Sequence, residues 1–278
     1  MNCTSLSTDS LSFVCALVRG RSAMELAPDK AYLIESRLAA VAKKNGFANN
    51  EELVHGVRGS PRSDLVRHVV EAMTINETSF FRDMHPFEAL RKTIIPELRA
   101  RRSDRRQLNI WSAACSSGQE LYSIAMLLRE YFPDLLGWEL NLLGTDLSRE
   151  VVYRAQRGRF SQIEVNRGLP APLLLKYFER AGVHWDIVPE VRRMVRFQEL
   201  NLIDNWTGMP SMDVVLLRNV LIYFSGETKK RILARVRRLM TPHTVLFLGG
   251  AETPSNVDPS LEQVQANNSI FYRLNRSS

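Results

Sequence analysis

Apolar positions along the chain keep two different rhythms. Up to about residue 74 they recur at helical spacing, as in Leu33, Ile34, Leu38 and Val41 within residues 28–44, where Pro28 stands near the start and Gly46 follows the end. Shorter stripes of the same kind predict helices over residues 9–19, 51–57 and 63–73, the last with Ser63 as N-cap. Stripes of this sort, with polar residues between them, predict a small helical domain over residues 1–75. From Leu108 the rhythm shortens. Apolar runs of strand length, Leu108 to Trp111, Leu140 to Gly144, Val214 to Leu217 and Thr244 to Gly249, alternate with helix-period segments, which predicts an α/β domain with a mostly parallel sheet over residues 76–278.

Within that second domain Ser148 caps a helix running to Gln156 and Gly158 stops it, a further helix spans 172–180, and Ser225 caps a basic helix with Ile232, Leu233, Val236 and Leu239 on its apolar side. Residues 183–188 and 191–197 alternate about Pro189 and Glu190, predicting a hairpin inserted into the α/β rhythm as a recognition element. Residues 270–274 predict an edge strand.

The candidate chemistry lies at the strand tips. Leu108 to Glu120, LNIWSAACSSGQE, passes from strand through small residues directly into a helix pattern. Ligands bind at such junctions in parallel sheets, because small residues allow close approach and a helix start offers unpaired N–H groups. There is no G-x-G-x-x-G, so taken alone the segment fits a nucleoside site and an ordinary strand-to-helix turn equally well. Asp146, after the second strand, is placed to bind both hydroxyls of a ribose. The run ELNLID ends a further strand and brings in Asn201, and Arg218 with Asn219 follow the run starting at Asp213, so four polar strand tips point to one cleft. Between the domains, Phe80 and Phe81 are expected to staple one to the other, with Asn76, Thr78 and Arg82 reaching into the cleft.

Composition narrows the class. The chain has 278 residues, 45% hydrophobic and 24% charged, which suits a globular protein with a proper core. Its apolar runs are short and interrupted, so no transmembrane span or membrane insertion is expected. The opening MNCTSLSTDSLSF lacks the basic and long apolar regions of an export signal, and Cys3, Cys15 and Cys115 make neither a disulfide framework nor a metal-ligand spacing. A cytoplasmic protein without a metal is the expectation. The net charge is +7, yet nine lysines and arginines balance eight acids through Ile75, so the excess sits later, in residues 91–106 and 229–238. Basic clusters of this kind are solvated faces or contacts for an acidic partner.

In order and spacing, INETSFFR, IWSAACSSGQELYSIAM, LLGTDLS, NLI, LLRNVLIYF and GETKKRIL resemble the CheR chemotaxis-receptor methyltransferases, as does YLIESRL in the helical segment. The resemblance runs from about Lys30 to the end. It implies a Rossmann-like class I methyltransferase sheet with a small antiparallel β insert, preceded by an all-helical N-terminal domain. It further implies an S-adenosyl-L-methionine-dependent protein-glutamate O-methyltransferase, releasing S-adenosyl-L-homocysteine, that esterifies glutamates on cytoplasmic helices of chemoreceptors and so tunes adaptation. A monomer is expected, and no nucleic-acid partner.

Carried over residue by residue, the resemblance places Asn76, Thr78 and Arg82 at the methionine and methyl side of the cofactor, Glu120 in the loop-helix turn, Asp146 at the ribose, and Asn201 with Leu202 at the adenine. Arg218 and Asn219 complete the pocket, and Arg82 and Tyr223 position the glutamate. The family's GEEPYS-like turn stands here as Gly118-Gln119-Glu120-Leu121-Tyr122-Ser123, keeping the second acid but losing the first acid and the proline, which puts the rigidity of the loop in doubt. Two other classes fit the residues less well. A nucleic-acid methyltransferase would suit the basic clusters, but neither D/N-P-P-Y/F nor a Pro-Cys nucleophile is present. A non-catalytic cofactor-binding adaptor would be marked by loss of Arg82, Asp146 or Tyr223, and all three remain.

Overall fold

The computed structural model describes residues 6–26, 30–60, 63–254 and 258–275. The chain divides into two compact units, Met1–Ile75 with Tyr223–Thr228, and Asn76–Ile222 with Lys229–Ser278.

The first unit holds four helices, α1 (Thr8–Ser22), α2 (Ala31–Lys44), α3 (Asn50–Gly59) and α4 (Asp64–Ala72). Their apolar stripes meet in a core of Val14, Val18, Ile34, Leu38, Leu53, Val57, Val66 and Val69, all buried. Ser7 caps α1 and Asn49 caps α3, each side chain accepting a backbone N–H from the first turn. Ser63 stands at the N-cap of α4 without capping it, because its hydroxyl donates instead to Ser60 O at 2.7 Å. Pro28, expected inside α2, lies outside the described residues. Arg37 projects from α2 to donate to Met73 O at 2.8 Å, satisfying a carbonyl left open past the end of α4. Late in the chain, Phe224 forms an antiparallel bridge with Met24, and Tyr223 O accepts from Glu25 N–H at 2.9 Å.

The second unit opens with α5 (His85–Ala89), a π-helical turn over Leu90–Ile94 and α6 (Ile95–Arg101). There follow β1 (Gln107–Ala113), α7 (Gln119–Tyr131), β2 (Glu139–Asp146), α8 (Arg149–Arg157), β3 (Arg159–Ser161), α9 (Gln162–Asn166), α10 (Ala171–Tyr177), β4 (Phe178–Ala181), β5 (His184–Ile187), α11 (Pro189–Arg192), β6 (Val195–Glu199), β7 (Met212–Leu217), α12 (Gly226–Arg238), β8 (Met240–Leu248), β9 (Leu261–Ala266) and β10 (Ser269–Leu274). The large sheet runs β6-β2-β1-β7-β8-β10-β9, parallel from β6 to β8, with β10 antiparallel to both of its neighbours. This is the Rossmann-like sheet that the resemblance implies, with a separate three-stranded antiparallel sheet β3-β5-β4. Ile110, Trp111, Val214, Val215, Leu216, Val245 and Phe247 are sealed on both faces of the sheet, which is why the central strands read as continuous apolar runs.

Several expectations are corrected. The insert's hairpin is β4–β5, turning at Gly182 with φ +64°, whereas 191–197 divides between α11 and β6. Alternation has the same period in either sheet, and Pro189 at a helix start redirects the chain into the large one. The helix expected to reach Arg180 stops at Tyr177, because Phe178 turns inward against Phe80. Around Asn201 the strand ends at Glu199, so ELNLID is chiefly the loop beyond β6. β10 is an inner strand. The edge belongs to β9, whose Glu262, Gln263 and Gln265 dilute the apolar signal. Within the α/β unit, Phe80 packs edge-on to Phe160 at 5.0 Å and Phe81 to Phe87 at 5.2 Å, which leaves the expected staple between the domains neither supported nor opposed.

Candidate active site

Between β1 and α7 the backbone is left-handed at Ala114 (φ 55°), Ser116 (φ 51°) and Gly118 (φ 91°), a conformation that costs free energy at the two residues that are not glycine. Neighbouring strand tips hold it down. Cys115 N–H donates to Thr145 O and Ser116 N–H to Asp146 Oδ2, each at 2.9 Å, while Asp146 Oδ1 accepts from Ser148 N–H at 3.0 Å. Ser117 Oγ donates to Gln119 Oε1 at 2.9 Å, and Ser123 Oγ bonds both Gln119 O and Phe81 N–H. The loop is therefore fixed without the family's proline. Close packing adds to this: a β-carbon on Gly118 would lie 2.8 Å from the Phe197 ring, and one on Gly144 would lie 2.5 Å from it.

A buried ion pair joins the first turn of α7 to the tip of β7. Glu120 Oε1 accepts from Ser112 Oγ at 2.8 Å and Oε2 accepts from Arg218 Nη1 at 2.7 Å. Arg218 Nη2 donates to Asp83 Oδ2 at 2.6 Å and to Arg82 O at 3.1 Å, while its Nε is buried with no partner. Acid in the first turn also suits the positive end of the α7 dipole. Next to Arg218, Asn219 is left-handed (φ 57°) and its N–H donates to Glu252 Oε2 at 2.8 Å. Glu252 escaped the sequence analysis. Its only signal there is an acid three residues beyond Gly249, at the end of an apolar run. A cavity of about 340 Å³ opens beside Arg218, bounded by Asp83, Pro86, Glu252 and Tyr272.

Other expected site residues are placed less directly. Asn76 O accepts from Ser116 Oγ at 2.7 Å, which ties the start of this unit to the β1–α7 loop. Arg82 meets Arg218 through its carbonyl, while its guanidinium donates to Glu77 O at 3.1 Å. Thr78 is half-buried. Leu200 N–H donates to Asp146 O at 2.9 Å, which sets Asn201 beside the β2 tip. Leu202 is buried and its carbonyl accepts from Arg235 at 3.1 Å. Tyr223 groups with the helical unit through Glu25. Burial, and then the charges of Asp146 and Glu120, push the Cys115 thiol well up, so it stays protonated. Among the described residues no cluster suited to a metal ion is present, and no helix is long and apolar enough to cross a membrane.

A parallel sheet presenting an acid at the tip of β2, beside a small-residue loop opening α7, defines an α/β domain built to hold a nucleoside. Residues 76–270 match the CheR methyltransferase SAM binding domain, which makes the chain an S-adenosyl-L-methionine-dependent methyltransferase, and residues 9–74 match the CheR methyltransferase all-alpha domain. The chain belongs to the CheR methyltransferase family. Chemotaxis protein methyltransferase Cher2 of Pseudomonas putida is 38% identical to it over 252 residues, 89% of this chain and 91% of that protein. Chemotaxis protein methyltransferase 1 of Pseudomonas aeruginosa is 39% identical over the same shares, and that of Vibrio cholerae is 32% identical over 99% of this chain and 100% of its own length.

Proposed function

We propose that this enzyme methylates glutamate side chains on the cytoplasmic helices of chemoreceptors, acting in the cytoplasm as a monomer with domains at 1–75 and 76–278. The observation that carries the proposal is the buried Glu120–Arg218 pair, which joins the first turn of α7 to the tip of β7 and extends to the exposed Asp83, together with Asp146 at the tip of β2. The residues suit S-adenosyl-L-methionine. The β1–α7 loop of small residues opens directly into a helix start, and Asp146 is an ionisable acceptor at the tip of β2. Arg218 keeps one buried donor, Nε, unpartnered. In this proposal Asp146 holds the ribose, Asn201 and Leu202 border the adenine, and Glu120, Arg218 and Asn219 shape the middle of the pocket. Asn76, Thr78 and Arg82 stand toward the methionine end, and Arg82 with Tyr223 positions the glutamate.

The cofactor supplies an activated methyl group on a sulfonium. A glutamate carboxylate has an ordinary pKa of about 4.3 and is ionised at neutral pH, so the chain needs no general base. Its task is alignment and exclusion of water, worth about 7–11 kcal/mol when the geometry is good. The test is incubation with methyl-labelled cofactor and receptor-bearing membranes. Label that enters the receptor and is released as methanol by mild alkali supports a glutamate ester. Alkali-stable label would indicate another acceptor atom, and cofactor binding without transfer would indicate an adaptor.

A further inference from the structure

Glu252 is a buried carboxylate at the end of β8 that neither the sequence motifs nor the proposed pocket uses. Its two oxygens accept three backbone N–H groups from three separate places. Oε2 takes Asn219 N–H at 2.8 Å and Gly249 N–H at 2.7 Å, and Oε1 takes Ile222 N–H at 3.2 Å. These are the tip of β7, the tip of β8 and the turn that leads to Tyr223. A buried backbone N–H without a partner costs about 1–3 kcal/mol, which commits the buried Gly249 N–H to this side chain, and the part-buried N–H groups of Asn219 and Ile222 converge on the same carboxylate. Asn219 sits in the left-handed region, where a residue other than glycine stays only if its surroundings hold it. The fit is close, since a β-carbon on Gly249 would lie 2.7 Å from both Glu252 Oε2 and Asn219 Nδ2. Glu252 and Arg218 also face the same cavity.

We infer that Glu252 is a positioning residue for methyl transfer: by clamping three amides it fixes the backbone after β7, and so the direction in which Arg218 and Asn219 enter the site. The inference rests on the proposed function, which assigns those two residues to the pocket. A carboxylate can do this because it is acceptor-only, whereas a glutamine would turn an NH2 toward one of the three N–H groups. An aspartate is one methylene too short to span the same three amides.

The experiment compares Glu252→Gln and Glu252→Asp with wild type, and with Leu135→Ala as a core variant remote from the strand tips. Hydrogen exchange at Asn219, Ile222 and Gly249, read by NMR, should be slow in wild type and at least tenfold faster in Glu252→Gln. Turnover at saturating cofactor should fall about thirtyfold in both Glu252 variants, with cofactor affinity by calorimetry changed less than about threefold, because the loss lies in alignment. Leu135→Ala should lower Tm as much or more while keeping kcat near wild type. Two results would overturn the inference: unchanged exchange with wild-type kcat in Glu252→Gln, or an equal fall of kcat in Leu135→Ala. Should wild type itself fail to methylate receptors, the proposed function fails, and the exchange data still report whether Glu252 clamps the three amides.

Discussion

Arg218 Nη1 stands 2.7 Å from Glu120 Oε2, and both side chains are buried. The tip of β7 is thereby joined to the first turn of α7 across 98 residues of sequence. Glu120 also accepts from Ser112 at the end of β1, so its carboxylate orders the protein whatever it does for the cofactor.

Breaking that pair on one side should be expensive. Arg218→Ala leaves Glu120 buried and uncompensated, and stability to urea should fall by about 3–5 kcal/mol. The double variant Arg218→Met with Glu120→Gln removes both charges and should recover at least half of the loss. Equilibrium melts of the three proteins check this, and equal losses in the single and double variants would show that packing dominates.

Asp146→Ala should weaken cofactor binding at least tenfold, since a charge-assisted hydrogen bond contributes about 1.5–3 kcal/mol. Calorimetry on the folded variant is the measurement. Because Asp146 also accepts from Ser116 and Ser148, Asp146→Asn should lose the Ser116 contact in part and fall between wild type and alanine.

Arg82→Ala should lower kcat about a hundredfold, or about 2.7 kcal/mol, with a smaller effect on cofactor affinity. Arg82→Lys should recover little, because an ammonium on a flexible stem does not replace a planar fork. Normal turnover of Arg82→Ala at saturating cofactor would instead assign this arginine to binding.

Cys115 should resist alkylation. Its raised pKa means that the thiolate is scarcer at pH 8.5 than for a free cysteine, and the rate should climb only as pH passes well above its ordinary value near 9. Mass spectrometry after iodoacetamide treatment should find Cys115 unmodified in native protein and modified in urea. Rapid native labelling would contradict the burial.

The basic residues of and beside α2 differ in their surroundings. Arg37 is engaged at the end of α4, so Arg37→Glu should cost stability. Lys30 and Lys43 are exposed, and reversing both should raise the apparent KM for receptor substrate at low salt and lose that effect as salt screens charges beyond about 8 Å. A KM unaffected by the double reversal at low salt would reduce this helix to a solvated face.

What the sequence disclosed follows burial. Strands β1, β2 and β7 lie in the middle of the sheet and show as apolar runs, and Asp146 and Arg218 were legible because they end those runs. Edge elements were not. β9 is polar on its open side, and β6 was blurred into a hairpin because alternation does not say which sheet a strand joins. Glu252 was invisible because its partners are backbone amides, which leave no trace in residue identity. The role of Arg37 was not legible either, since only the fold shows that it meets a helix end.

Phe197 sends one ring into the space left by two glycines, Gly118 in the loop and Gly144 in β2. Any divergence at these three positions is therefore conditional. A methyl group at Gly144 can be accommodated only if the ring shrinks or leaves, and a smaller residue at 197 opens a void that a side chain at 144 can then fill, whereas Gly118, at φ 91°, stays strained with any side chain. Gly144→Ala should be harmful alone and largely tolerated with Phe197→Leu. The trio acts as a linked character, so a redesign of the β1–α7 loop has to begin on β6, whose Phe197 ring packs against Gly118.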